Sequence, residues 1–337
     1  MMVRLRWFFS PFLMALAFVA HAGASAPAAI DVAQWMERMR QASQLRSFTG
    51  TFVVLSANGQ MSSSRIWNAS DGRQRIERVD ALSGTPRTVF RSNEEVRTFL
   101  PQTHTMRLER REHGDAPGGR FPAIAQHSAG VDLSRFYVAR PLPAERVAGL
   151  EADGVWLQPL DSLRFGYRIW SERSTGLAVK LQTLSADGHV LEQAAFSQLD
   201  LQTPVLFKPL SQAMDTTTGY RVLPVAFTPT TAAAEGWALH EPVPGFSPVS
   251  CYRRPSVSGV PESSTMLQCI YSDGLATVSL FAERFDPKRH PATMQQASLG
   301  ATHLLGLRVG QDMWLTAVGE VPAQTLQQFA RQFQRIR

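Results

Sequence analysis

Lysine is almost missing from this chain. Of its 34 basic residues only Lys180, Lys208 and Lys288 are lysine, so the positive charge rests on arginine. Cysteine is scarcer, with Cys251 and Cys269 alone in 337 residues and no C-x-x-C pair, which argues against dithiol redox chemistry. There is no G-x-S-x-G elbow, no Gly-Lys-Ser/Thr phosphate loop and no H-x-x-x-H pair that a helix could present to a metal. His240 and His290 have no zinc-like spacing to the cysteines, so no metal or cofactor is expected. A Ser-His-Asp set need not be contiguous and stays open at this level, but no residue carries it, and the chain is read as a binding protein, not an enzyme. After the first thirty residues no apolar run is long enough to span a bilayer.

What is present begins at the N-terminus. Arg4 and Arg6 precede an apolar run from Trp7 to Ala20, followed by small-x-small sites at Ala20-His21-Ala22 and Ala24-Ser25-Ala26. This is the pattern of a cleaved signal peptide; a membrane anchor is the alternative, and the run is shorter than the roughly 20 residues an anchor needs. Removal of residues 1–26 leaves enough chain for two domains of ordinary size. The formal net charge is +6, of which Arg4 and Arg6 supply two units. Export argues against nucleic acid and leaves anionic headgroups or an acidic protein segment as the complements of the remaining charge. Outside the cytoplasm a lone cysteine pair becomes a disulfide. Cys251 and Cys269 flank the turn-rich "RRPSVSGVPESST", and a hairpin centred near Val260 would set them opposite each other. Closing that loop contributes about 3 kcal/mol in the chain-entropy model.

Asp31 has the character of an N-cap, with Val32, Trp35, Met36 and Met39 at helical spacing behind it, which predicts a helix from Asp31 to Leu45. Turn pairs then come quickly, at Asn58-Gly59, Asp71-Gly72 and Ser83-Gly84, between stretches rich in β-branched and aromatic residues such as "SFTGTFVVLSA", "SSSRIWNAS" and "EVRTFLP". This is an antiparallel meander. A Gly-rich surface loop, "REHGDAPGGRFPAIAQHSAG", interrupts it before strands resume through "FGYRIWSER", "GLAVKLQTLS" and "HVLEQAAFSQLDL". Pro209 to Gly236 has no regular period and reads as a connection. A smaller unit follows and closes in a helix from Pro322 with Leu326, Phe329, Ala330, Phe333 and Ile336 as its apolar face and Arg331, Arg335 and Arg337 at its end. If the long sheet curls, its inner face can hold an acyl chain, and Phe52, Val54, Ile66, Ile76, Val96, Leu100, Met106 and Leu108 are the candidate lipid-binding residues; ordinary core is the alternative for each. Arg253 and Arg254 are candidate cations for an acidic partner segment, with solvated arginines as the alternative.

Three stretches carry a family resemblance. They are "SFTGTFVVLSANGQ" through "RIW", "DGRQRIERVDALSGTPRTVFR" and "VRTFLPQ"; then "LRFGYRIWSERSTGLAVKLQTLSADGHVLEQAAF"; then "CIYSDGLATVSLFAE" with "GATHLLGLRVGQDMWLTAVGEVPAQTL". In this order they resemble the periplasmic sigma-E factor regulators of the RseB/MucB family. The resemblance implies an α+β protein, with a large curved antiparallel sheet (an unclosed β-barrel with helices, like the lipoprotein carriers LolA and LolB) and a smaller α/β C-terminal domain. The expected division is a signal peptide at 1–26, a lipid-binding β domain at 27–208, a linker at 209–236 and the C-terminal domain at 237–337. It further implies a periplasmic negative regulator of the envelope-stress sigma factor. Such a regulator binds the periplasmic part of a transmembrane anti-sigma factor, protects it from the site-1 protease and releases it on binding lipid or lipopolysaccharide fragments. The disulfide is not part of the family pattern. A periplasmic carrier of lipoproteins or lipids is the alternative, and a homo-oligomer is left open.

Overall fold

The computed structural model describes residues 30–92, 95–110, 121–124, 130–255 and 265–336. The signal peptide, most of the Gly-rich loop and the turn around Val260 lie outside the described residues. Asp31 caps the first helix, α1 (Val32–Leu45), by accepting from the Gln34 amide at 3.0 Å. The helix buries Val32, Met36, Met39 and Ala42 on one side, as its spacing requires.

Eleven strands follow: β1 (Phe48–Ser56), β2 (Met61–Ser70), β3 (Arg75–Ala81), β4 (Thr88–Arg91), β5 (Glu95–Leu100), β6 (Thr105–Arg110), β7 (Tyr137–Val147), β8 (Leu150–Pro159), β9 (Gly166–Glu172), β10 (Ala178–Leu184) and β11 (Val190–Asp200). The first three turn pairs sit between β1 and β4, and their glycines Gly59, Gly72 and Gly84 all have positive φ. The residues expected to be a connection hold much secondary structure of their own. Helix α2 (Phe207–Asp215) is followed by β12 (Arg221–Val225), which pairs in parallel with β6. The result is one twelve-stranded sheet in the order β12-β6-β5-β4-β3-β2-β1-β11-β10-β9-β8-β7, with β12 and β7 as free edges, so it does not close.

The second unit is a seven-stranded sheet. Its strands are β13 (Thr228–Thr230), β15 (Ser247–Pro255), β16 (Thr265–Ser272), β17 (Thr277–Arg284), β18 (Gln295–Leu299), β19 (Thr302–Val309) and β20 (Met313–Gly319), and β14 (Trp237–Leu239) stands outside it. Helix α3 (Ala323–Gln332) packs on this sheet through Leu326, Phe329 and Ala330. The closing helix is shorter than its apolar spacing suggests. The chain leaves it at Phe333 to form β21 (Phe333–Arg335) against β14; Phe333 stays buried, stacked on Trp237 at 5.1 Å, while Ile336 is exposed. Tertiary pairing with β14 outcompetes one more helical turn. Cys251 and Cys269 are opposite residues of β15 and β16 and form the disulfide.

Gly50 on β1 marks a close approach in the first sheet. A Cβ there would meet the Gln198 carbonyl oxygen at 2.6 Å and the Phe196 ring at 2.8 Å, so Phe196 packs directly against the backbone. Gly50→Ala is therefore expected to lower stability by about 1–3 kcal/mol through overpacking. Thermal or urea melting checks this, and an unchanged melt would contradict the placement of Phe196.

Candidate functional site

Strand register assigns each candidate lipid-binding residue to a face. Phe52, Val54 and Ile66 share one face, and the chain of opposed residues Ile66, Val79, Val89 and Thr98 carries that face across to Val96 and Leu100. Helix α1 packs on this side: Ala42 clusters with Phe48 and Ile66, and Met36 and Met39 cluster with Val155, Leu157 and Ile169. Phe52 is half-buried and meets the rings of Phe121 at 5.6 Å and Phe196 at 6.2 Å. Ile76, Met106 and Leu108 point the other way. They join Ala69, Phe90 and Phe99 beneath Leu210 and Met214 of α2. The eight residues thus divide five to one face and three to the other, because Ile76 on β3 and both Met106 and Leu108 on β6 have the opposite pleat parity.

The arginines beside the disulfide have partners. Arg253 is ion-paired to Glu235 at 2.5 Å, and Arg254 donates to Gln268 Oε1 at 2.9 Å while its guanidinium lies over Phe227. Among the described residues no group of three or more His, Cys, Asp or Glu could hold a metal ion, and no helix is long and apolar enough to cross a membrane.

The most heavily engineered polar site lies between the two sheets, and no local signal in the sequence announces it. Arg164, in the β8–β9 connection, has a side chain with no solvent exposure and reaches into the second unit to pair with Asp273, equally buried, at 2.9 Å. Asp273 sits in the β16–β17 turn. One of its oxygens accepts from the Leu275 and Ala276 amides at 2.9 and 2.7 Å; the other accepts from Arg164 and from the Tyr137 hydroxyl at 3.1 Å. Arg164 also donates to Asp161 and to the Pro244 carbonyl, so its fork is spread over both units. The rings of Phe136 and Phe246 flank the guanidinium, with its carbon 4.5 and 5.3 Å from their centres. Gly245 lets the opposing loop come this close: its φ is +83° and a Cβ would meet Arg164 Nη2 at 2.7 Å. Burial pushes the Asp273 carboxyl above its usual range, against the pull of the two backbone amides and of Arg164. Burial also works against the charged guanidinium, but Asp161 and Asp273 together hold the Arg164 pKa above its ordinary value.

Further contacts close the junction. Thr325 Oγ1 donates to the Leu163 carbonyl at 2.7 Å, and Ala301 is buried in the cluster that holds Met36 and Leu157. At the β18–β19 turn, Gly300 lies against Glu192 and Ser56 of the first sheet. Burial raises the Glu192 carboxyl there despite hydrogen bonds from Ser56 and the Ala301 amide. A cavity of about 490 Å³ also opens at the junction, but glutamines 324, 327, 328 and 332 with Arg331 line it, which does not suit an acyl chain.

An open sheet with two usable faces, coupled to a second sheet through a buried ion pair, defines a two-unit binding protein. The chain belongs to the MucB/RseB family: the MucB/RseB N-terminal domain model matches residues 31–214, and the C-terminal domain model matches residues 231–334. It is 28% identical over 320 residues to the Pseudomonas aeruginosa protein named sigma factor AlgU regulatory protein MucB, covering 90% of each chain. It is 24% identical over 298 residues to the Escherichia coli K12 sigma-E factor regulatory protein RseB, covering 88% of each. A crystal structure of MucB in complex with MucA(peri) superposes with a TM-score of 0.66 at 25% identity, covering 90% of this chain and 99% of that one.

Breaking the buried pair at one end strands the other charge. Arg164→Met or Asp273→Leu alone is expected to cost about 3–5 kcal/mol, whereas the double variant recovers most of the loss. A urea-melt double-mutant cycle measures this; additive losses would mean that the two groups do not act as a pair.

Proposed function

We propose that this protein is a periplasmic negative regulator of an envelope-stress sigma factor. In this reading it is exported by a signal peptide cleaved near residue 26. It binds the periplasmic part of a transmembrane anti-sigma factor, shields that segment from site-1 proteolysis, and lets go when lipid or lipopolysaccharide fragments bind. The observation that carries the reading is that both family domains match along one chain, in an order shared over about 90% of its length with a protein named as a sigma factor regulator. A solved relative bound to MucA(peri) supports a protein partner. The proposed division is a lipid-binding unit at 27–208, a connection at 209–236 and a smaller unit at 237–337.

The proposed lipid site is the face that carries Phe52, Val54, Ile66, Val96 and Leu100, where α1 and the Phe121 and Phe196 rings would flank an acyl chain. Ile76, Met106 and Leu108, on the opposite face beneath α2, are left out of that site. For lipid to displace a protein, the two ligands must favour different arrangements of the chain. The junction around Arg164 and Asp273 is the element whose two states they would bias.

Two experiments test the reading. The mature protein is used to pull its partner from its own detergent-solubilised envelope, and the bound material is identified by mass spectrometry. A single-span protein with a cytoplasmic sigma-binding segment is expected; a mixture of acylated lipoproteins without it would mean a carrier. Phe52→Asp is then expected to blunt lipid-driven release of that partner by about tenfold while leaving partner affinity within about twofold, since the aspartate opposes acyl burial only. Equal loss of both, together with unfolding, would show that Phe52 is simply core.

A further inference from the structure

Arginine is plentiful on the first sheet, and several of its arginines hold a carboxylate. Arg75 and Arg91 share Glu77, Arg78 holds Asp80, Arg97 holds Glu95, and Arg173 holds Asp153. Arg140 on β7 and Arg168 on β9 are different. Among the described residues neither pairs with a carboxylate, and both guanidiniums instead flank one indole, that of Trp156 on β8, at 5.9 and 5.6 Å. Register puts the three directly opposite one another on a single face. Two N–H groups in this trio, Trp156 Nε1 and Arg168 Nε, are shielded from solvent with no acceptor. Buried donors of that kind are costly, so an arriving anion would relieve them.

The same face continues across the sheet. Opposite Arg168 is Gln182, hydrogen-bonded to Gln193 at 2.7 Å; then come Leu55 and Met61, 44% and 69% exposed. This row crosses seven strands, a path of about 25–30 Å at the usual strand spacing. Helix α2 covers this face only over β2 to β6. Its basic end wants carboxylates and its other end wants apolar side chains. Eight or nine extended residues would span both ends.

We propose that the outer face of β7–β9, centred on Arg140, Trp156 and Arg168, is a docking surface for an acidic peptide segment whose apolar residues run on toward Leu55 and Met61. Placing this surface on the partner-binding side of the protein rests on the regulator reading; that it binds an acidic peptide does not. The guanidiniums would donate charge-assisted bonds to the carboxylates, and the indole would hold both forks in place. Arg253 and Arg254, already engaged by Glu235 and Gln268, are not part of it.

The test titrates the mature chain into a fluorescein-labelled ten-residue peptide with four glutamates at one end and leucines at the other. The R140Q/R168Q double variant is expected to weaken binding at least tenfold, and Trp156→Phe, which keeps a ring and loses the N–H, about threefold. Added salt should weaken the wild-type complex, and the same peptide with glutamine for glutamate should not bind. R253Q serves as the control and should match wild type, and circular-dichroism melts establish that each variant is folded. Wild-type affinity for R140Q/R168Q overturns the proposal, as does binding of phosphatidylglycerol vesicles but not of the peptide, which would make the face a membrane contact. The envelope pull-down separates the two readings. If the wild-type chain captures its single-span partner and R140Q/R168Q captures as much, the regulator reading stands and the surface is wrong. If wild type captures no such partner, the regulator reading falls and the peptide titration alone decides the surface.

Discussion

The architecture turns on one buried ion pair. Arg164 and Asp273 come from different sheets, and neither side chain is exposed. Each is tied down by further bonds, Arg164 to Asp161 and Pro244, Asp273 to Tyr137 and two backbone amides. Such a pair adds little net stability compared with an apolar filling, but it punishes any arrangement that separates its members. It therefore specifies how the two sheets sit together, and it penalises partial opening. For the proposed opposition of lipid and protein partner, a junction of this type would mean that a ligand must supply enough differential binding to break the contact outright.

Around that junction the twelve-stranded sheet puts its faces to different uses. One face is packed by α1 and carries Phe48, Ile66 and the Phe52–Phe196 rings; the opposite face is packed by α2 over β2 to β6 and carries Arg140, Trp156 and Arg168 at β7 to β9. Because the sheet is not closed, it ends in the edge strands β12 and β7, which a complete barrel would not have. The parallel pairing of β12 with β6 matters here too. It ties the chain segment after α2 to the edge of the sheet, so the path to the second unit begins from a fixed point and not from a slack linker.

Much of this was legible in the residues. Asp31 and the apolar spacing behind it place α1, and the turn pairs at Asn58-Gly59, Asp71-Gly72 and Ser83-Gly84 place three hairpins, because a positive-φ residue at a tight turn is a local requirement. The cysteine pair is legible for the same reason: a turn-rich stretch between them makes them cross-strand neighbours. The closing helix is legible only in part. Phe333 has the right period for a helix, yet it leaves α3 for a strand because β14 offers it partners that lie nearly a hundred residues earlier. The candidate lipid residues are legible only in part as well. Each is apolar and lies in a strand, but whether Ile76 or Val79 faces α1 depends on register across β2, which alternation within one strand does not reveal.

The sequence by itself determined the elements whose causes are local: a capped amphipathic helix, a series of Asx-Gly hairpins, a second strand-rich unit and an arginine-based charge. Those follow from backbone preferences and from side-chain periodicity within about a dozen residues. Tertiary structure alone decided which face each strand shows, where the first sheet ends, and which arginines are spent. Arg164 is buried and paired with two carboxylates, while Arg168, four residues on, stands beside Trp156 with no carboxylate among the described residues. Nothing in the local sequence separates the two. The difference is made by Asp273, 109 positions away from Arg164, which the packing of two sheets brings within 2.9 Å.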